Sequence, residues 1–190
     1  YQSTEQFRLP PPVDSNPNGP RGRGAYKAQA DRILAISAAL TDEQKLSAEL
    51  FEGKLDSLGA VAVFLWAERR WNVEQFVHYD FLVNLAQMEA GIAAWKEKLR
   101  HDSIRPVSAI RHLYGRGKVN AWGGPGKGTV HMPADQWRSY LPVGNHAEYP
   151  SGTTCFCAAQ AQVSRLYLGS DTLGWTVPYA AGSSYIEPGV

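Results

Sequence analysis

Apolar residues recur along most of this chain at spacings of three and four, the period of a helix that buries one side. Between Tyr26 and Leu40 the positions Ile33, Leu34, Ser37 and Ala38 continue one such face. Thr41 followed by Gln44 has the spacing of a capping box and predicts a helix that ends near Gly53. Leu55, Leu58, Val61, Ala62, Leu65 and Trp66 mark a third helix, running to the neighbourhood of Trp71. Asn72 with Gln75 repeats the cap, and Phe81, Leu85, Met88, Ile92, Trp95 and Leu99 then alternate steps of four and three. That stripe predicts a long amphipathic helix to near Arg100, with the stripe in the core. Pro106 can open a short helix over 107–114, stopped by Gly115, and Ser151 caps a helix from Gly152 to near Leu168, closed by Gly169.

Residues 115–149 carry Gly123, Gly124, Pro125, Gly126, Pro133 and Pro142 and read as loop. So long an irregular stretch in a compact domain is usually functional. The last residues read as turns with a short strand over 184–187, and no repeat or sustained two-residue alternation appears. The fold class is therefore mainly α, a helical bundle over 25–190 with short strands at most. Residues 1–24, with Pro10, Pro11, Pro12, Pro17, Gly19, Pro20, Gly22 and Gly24, predict an extended Pro/Gly-rich arm, either docked through Phe7 and Leu9 or partly disordered.

Charge narrows the function. Nineteen basic and eighteen acidic side chains leave a net charge of +1, which excludes the broad positive footprint of a nucleic-acid or membrane-surface protein. An anion would have to be held by a local cluster. The longest apolar run, 58–67, is about half of what a bilayer-spanning helix needs, so no membrane span is expected. The chain opens on Tyr1 without a signal stretch, which reads as a processed product or a piece of a longer precursor, in an extracellular setting. Cys155 and Cys157 point to different faces of a helix, so they are read as small buried hydrophobes or as disulfide partners for another segment, not for each other. With so few thiolates, no metal site is expected within this chain.

Two segments carry candidate chemistry. In Lys98-Leu-Arg-His-Asp-Ser-Ile-Arg105-Pro106, a Lys ends one predicted helix and an Arg opens the next. Such a connection can aim a point charge and a planar guanidinium fork into one oxyanion pocket. Two solvated surface cations are the plainer reading. In His146-Ala-Glu-Tyr-Pro-Ser151-Gly152-Thr153, a Ser-Gly at a helix start offers a hydroxyl, unobstructed N–H groups and the positive end of the helix dipole. A simple Ser N-cap is the alternative.

Taken together and in this order, the two segments resemble the vanadium-dependent haloperoxidases and the acid phosphatases of the same (type 2 phosphatidic acid phosphatase, PAP2) superfamily. That family carries Lys-x6-Arg-Pro, then Pro-Ser-Gly-His, then Ser-Arg-x5-His. The run from Arg105 to His112 is similar to the algal bromoperoxidase form of the first motif. The resemblance implies a haloperoxidase-type helical fold in which Lys98, Arg105, Ser151 and Gly152 bind vanadate, or phosphate in its place. It also implies hydrogen peroxide and halide as co-reactants, with Lys98 assisting catalysis.

Two departures accompany the resemblance. Thr153 stands where the family has an acid–base His, and threonine cannot shuttle protons near neutral pH. His146 is the candidate replacement, with a structural loop hydrogen bond as its other reading. No Ser-Arg-x5-His follows Gly152, and His78, His101, His112 and His131 all precede the second motif. The implied partner is a C-terminal remainder of the same precursor, as a further segment or second chain, within a homo-oligomer or alone. An active haloperoxidase, a phosphatase and a catalytically silent assembly subunit all remain open at this stage.

Overall fold

The computed structural model describes residues 4–12 and 20–190. Among these, six α-helices dominate: α1 (Pro20–Ala38), α2 (Asp42–Glu52), α3 (Lys54–Glu68), α4 (Val73–His101), α5 (Pro106–Tyr114) and α6 (Gly152–Leu168). Strands β1 (Lys118–Trp122) and β2 (Thr129–Pro133) form one antiparallel hairpin between α5 and α6. The mainly helical expectation holds. No helix among the described residues is long and apolar enough to cross a membrane.

Helix boundaries follow local chemistry. The Thr41 and Asn72 side chains each accept from the backbone N–H three residues on, and Gln44 and Gln75 return the bond. Each pair satisfies donors that a helix start leaves open. Gly115 and Gly169 end α5 and α6 at positive φ, where a Cβ would be strained.

The Pro and Gly content of residues 20–24 predicts an extended arm, but these residues form the start of α1. Proline is well tolerated in a first turn, where its missing N–H has no partner to lose. Residues 4–12 do run as an arm, with a short turn at Thr4–Phe7, and they lie on α4 of the same chain. Residues 13–19 lie outside the described residues. The 115–149 stretch, expected as loop, contains the hairpin, in which Val119 and Ala121 point inward and Lys118 and Asn120 outward. Residues 184–187, expected as a strand, form a turn in which the Glu187 N–H donates to the Ser184 hydroxyl at 2.8 Å. Both cysteines are free and half-buried.

Two cores result. Ala30 and Leu34 of α1, Ile110 of α5, Val119 and Ala121 of β1, with Ala134 and Trp137, make one. Ala62 and Leu65 of α3 with Tyr79 and Val83 of α4 make the other. Helix α4 lies along α6, and buried polar contacts fix the register: the Tyr79 and Ser164 hydroxyls pair at 2.7 Å, and Gln87 donates to Gln160 at 2.9 Å.

The stripe of α4 is a correction. Phe81, Leu85, Met88, Ile92, Trp95 and Leu99 are 40–82% exposed, as are Val73 and Val77 at its N-terminal end. The helix instead buries Tyr79, Val83, Ala94, Glu97 and Lys98. At 100° per residue these two sets lie on nearly opposite sides of the helix. The period correctly reports an apolar face; the described residues leave most of it exposed, and α6 meets it at Trp95.

Glu97 ties the arm down. Its carboxylate accepts the Leu9 N–H at 2.8 Å and pairs with Arg100, whose guanidinium also donates to the Leu9 carbonyl. The Arg100 hydrogen bonds, opposed by burial and helped by the Leu9 amide and the Arg100 and His101 charges, pull the Glu97 carboxyl down to about 2. A depressed carboxyl stabilises the docked state above its unfolded value of 4.5, and that contribution is lost as pH falls from there toward 2. The protection of the Leu9 amide from hydrogen exchange, relative to its intrinsic rate at each pH, will therefore fall across that acid window. Glu97→Gln will speed tryptic cleavage after Arg8 at neutral pH while leaving helical circular dichroism in place.

Candidate oxyanion site

The end of α4 delivers Lys98 to the interior. Its side chain is 2% exposed, and its ammonium donates to the carbonyls of Ala147 at 2.6 Å and Glu148 at 3.1 Å. An ammonium has three N–H donors, so one remains for a further acceptor. Asp102 ends the helix in the left-handed region, turning the chain toward Arg105 at the start of α5. Burial, then the nearby Arg105 charge, holds the Lys98 amine below its ordinary value against the opposing pull of Glu148.

Arg105 reaches the same segment from the other side. Its Nε donates to the His146 carbonyl at 2.7 Å, Nη1 to the Glu148 carboxylate at 3.0 Å, and Nη2 lies 2.9 Å from His146 Nδ1. The Glu148 N–H is held by the Ser103 carbonyl at 3.0 Å, in the turn joining α4 to α5. Lys98, Arg105 and His146 are thus brought together on residues 146–148, just ahead of Ser151.

Ser151 caps α6, its hydroxyl accepting the Thr154 N–H at 3.2 Å. The hydroxyl keeps its own proton to donate. Gly152 is buried because Trp95 lies against it: a Cβ there would sit 2.8 Å from the indole ring. Thr153 is half-buried in the same first turn. His146 is exposed, with its ring centroid 5.4 Å from that of Trp95, and the Lys98 ammonium stands 5.8 Å over the same indole.

Trp95 and Glu148 are the residues that sequence reasoning does not reach. The spacing of Trp95 places it in a core stripe, and Glu148 is one acidic residue among many. Only their convergence on Gly152 and Arg105 gives them a place in the site.

The donor set suits a tetrahedral oxyanion: an ammonium, a guanidinium, a hydroxyl and the N–H end of α6 are all hard hydrogen-bond donors. Two cations held together, one of them buried, also favour an anion between them. No group of three or more His, Cys, Asp or Glu among the described residues is placed to hold a metal ion.

Comparison with known proteins bears on the family and the fold. The family model of the VCPO second helical-bundle domain matches residues 78–190. Crystal structures of a bacterial vanadium-dependent chloroperoxidase are similar over the whole chain in both the apo and the holo form, at 44% identity and a TM-score of 0.91. The match covers 100% of this chain but 42% of the apo chain and 41% of the holo chain. The chain thus spans less than half the length of those proteins. No curated protein matches.

Gly152→Ala tests the packing that builds this site. The new methyl has to displace Trp95 or the first turn of α6, at a cost of about 1–3 kcal/mol. Urea denaturation will show that loss, and phosphate binding measured by calorimetry will weaken with it.

Proposed function

The chain belongs to the vanadium chloroperoxidase family, and from that premise we propose that Lys98, Arg105, Ser151 and Gly152 form part of a vanadate site for peroxide-dependent oxidation of halide, chloride included. The observation that carries the reading is the grip of Lys98 and Arg105 on the three residues leading into the Ser151 cap. Vanadate, when bound, supplies the Lewis acid that activates hydrogen peroxide. The chain's residues supply charge and position. Lys98, buried beside Trp95, contributes a fixed positive charge in a place where water screens it little. Arg105 offers its fork to two oxygens of the anion, and the Ser151 hydroxyl and the α6 N-terminus supply further donors.

His146 is the group for proton transfer. Its ring is open to solvent and lies within hydrogen-bond reach of Arg105, while Thr153 cannot take that role. Among the described residues, neither a second guanidinium nor a histidine beyond Ser151 joins these groups. We infer that a further helical segment of a longer precursor brings them, packed on the exposed stripe of α4. Two features support this: a helix apolar on opposite sides is typical of a buried one, and the similar chloroperoxidase chains extend well beyond the matched region. With a net charge of +1 the chain offers no broad positive field, so capture of an anion would rest on this local cluster.

Incubation of the full-length protein with orthovanadate, hydrogen peroxide and chloride or bromide will halogenate a phenolic dye. Lys98→Ala will lower that rate by at least about tenfold, the scale of one lost electrostatic donor. Vanadate-loaded protein that leaves the dye untouched would return the chain to the catalytically silent reading, which Thr153 favours. Turnover of a phosphate ester blocked by vanadate would point to a phosphatase instead. For the docking segment, Leu85→Glu and Ile92→Glu will lower the melting temperature of the full-length protein but leave that of the isolated 190-residue chain nearly unchanged.

A further inference from the structure

Glu148 touches both candidate cations, in two different ways. Its backbone carbonyl accepts Lys98 at 3.1 Å, and its carboxylate accepts Arg105 Nη1 at 3.0 Å. The other partners of Arg105 are a neutral carbonyl and an imidazole of His146. Of the groups on the fork, Glu148 alone carries the negative charge that an oxyanion would bring. Its carboxylate occupies one edge of a guanidinium that offers five N–H donors in a plane.

The backbone of Glu148 is fixed while its side chain is not. The N–H is held by Ser103 at 3.0 Å and the carbonyl by Lys98, so the residue stays in place whatever the carboxylate does. The side chain is 43% exposed against 23% for Arg105, and it can turn out to water without opening the fold. An exposed ion pair of this kind is weak and exchanges readily for a better partner.

We propose that Glu148 is an internal counter-ion, a carboxylate that stands in for the oxyanion on Arg105 and must swing away for vanadate or phosphate to bind. The inference rests on the reading of Lys98, Arg105 and Ser151 as an anion site. Its consequence is that Glu148 sets the affinity of that site by competition. A multiply charged anion that reaches both cations displaces it; a singly charged one gains less from the exchange. Glu148 is a positioning and selectivity residue that acts through Arg105, not a catalytic one.

The test is equilibrium binding of orthovanadate, followed by vanadium NMR, and of inorganic phosphate, followed by calorimetry, to the full-length protein. Glu148→Gln keeps the backbone contacts and removes the charge, and will bind both anions about fivefold more tightly than wild type, the scale of one surface ion pair. Glu148→Ala will share the gain, and Glu148→Asp, which keeps the charge, will stay close to wild type. A purely structural role would weaken binding in the Gln and Ala variants and lower their melting temperatures together. Wild-type protein that binds, with Gln and Ala variants that bind equally or less well, would overturn the counter-ion assignment and leave the anion site standing. Absence of binding in wild type and all three variants would overturn the site and the counter-ion alike.

Discussion

The site depends on how one buried ammonium is satisfied. Removing a lysine head from water costs several kcal/mol unless its N–H groups find acceptors. At the end of α4 the Lys98 carbonyl is taken up by the turn, accepting the Asp102 N–H at 2.9 Å. The acceptors come instead from Ala147 and Glu148, about fifty residues along the chain. That requirement ties the C-terminal end of α4 to the segment before α6. Because α4 and α6 also pack along their lengths through Tyr79, Ser164, Gln87 and Gln160, the two ties fix both position and register. Ser151 then caps α6 three residues after Glu148, the end of the segment that both cations grip.

Much of the helical framework was legible in the sequence because its determinants are local. Thr41 with Gln44, Asn72 with Gln75, Ser151, Gly115 and Gly169 each solve a hydrogen-bonding or φ problem within a few residues, and they mark the boundaries the structure has. The hairpin was hidden because its alternation lasts only a few residues, from Lys118 to Ala121, before Trp122 breaks it by burying as well. What buries Val119 and Ala121 is α1 and Trp137, distant in sequence. The Lys98 and Arg105 motif was readable as a pair of charges, but their shared grip on residues 146–148 was not. A spacing rule gives the direction of a side chain on its own helix and says nothing about which loop returns to meet it.

The two faces of α4 sharpen the same point. Periodicity assigned the Phe81–Leu99 positions to a core, and the face they define is real. The residues that α4 does bury are fewer and more mixed, with Tyr79 and Val83 against α3 and the charged Glu97 and Lys98 at its end. A purely apolar contact there could slide, since dispersion between side chains is not directional. Glu97 holding the arm and Lys98 holding the 147–148 carbonyls are directional, and they are consecutive residues close to the point where the chain must leave α4 and begin α5. Buried charge on this helix thus supplies the specificity that the apolar surface cannot.

The same contacts make the two cations electrostatically unequal. Lys98 is satisfied by neutral carbonyls, whose dipoles lower the cost of burying the ammonium but leave its net charge uncancelled. Arg105 is satisfied partly by a carboxylate, so at distances beyond the pair its field is largely neutralised. The standing positive charge of the site therefore sits at the buried lysine, beneath the indole of Trp95, and not at the more accessible guanidinium. An anion taken up at the proposed site would meet a weak outer pair first and a strong inner charge second. That order lets the fold hold together when no anion is bound, because Lys98 and Arg105 already have acceptors on residues 146–148, while the attraction that would reward full insertion is kept where water does not screen it.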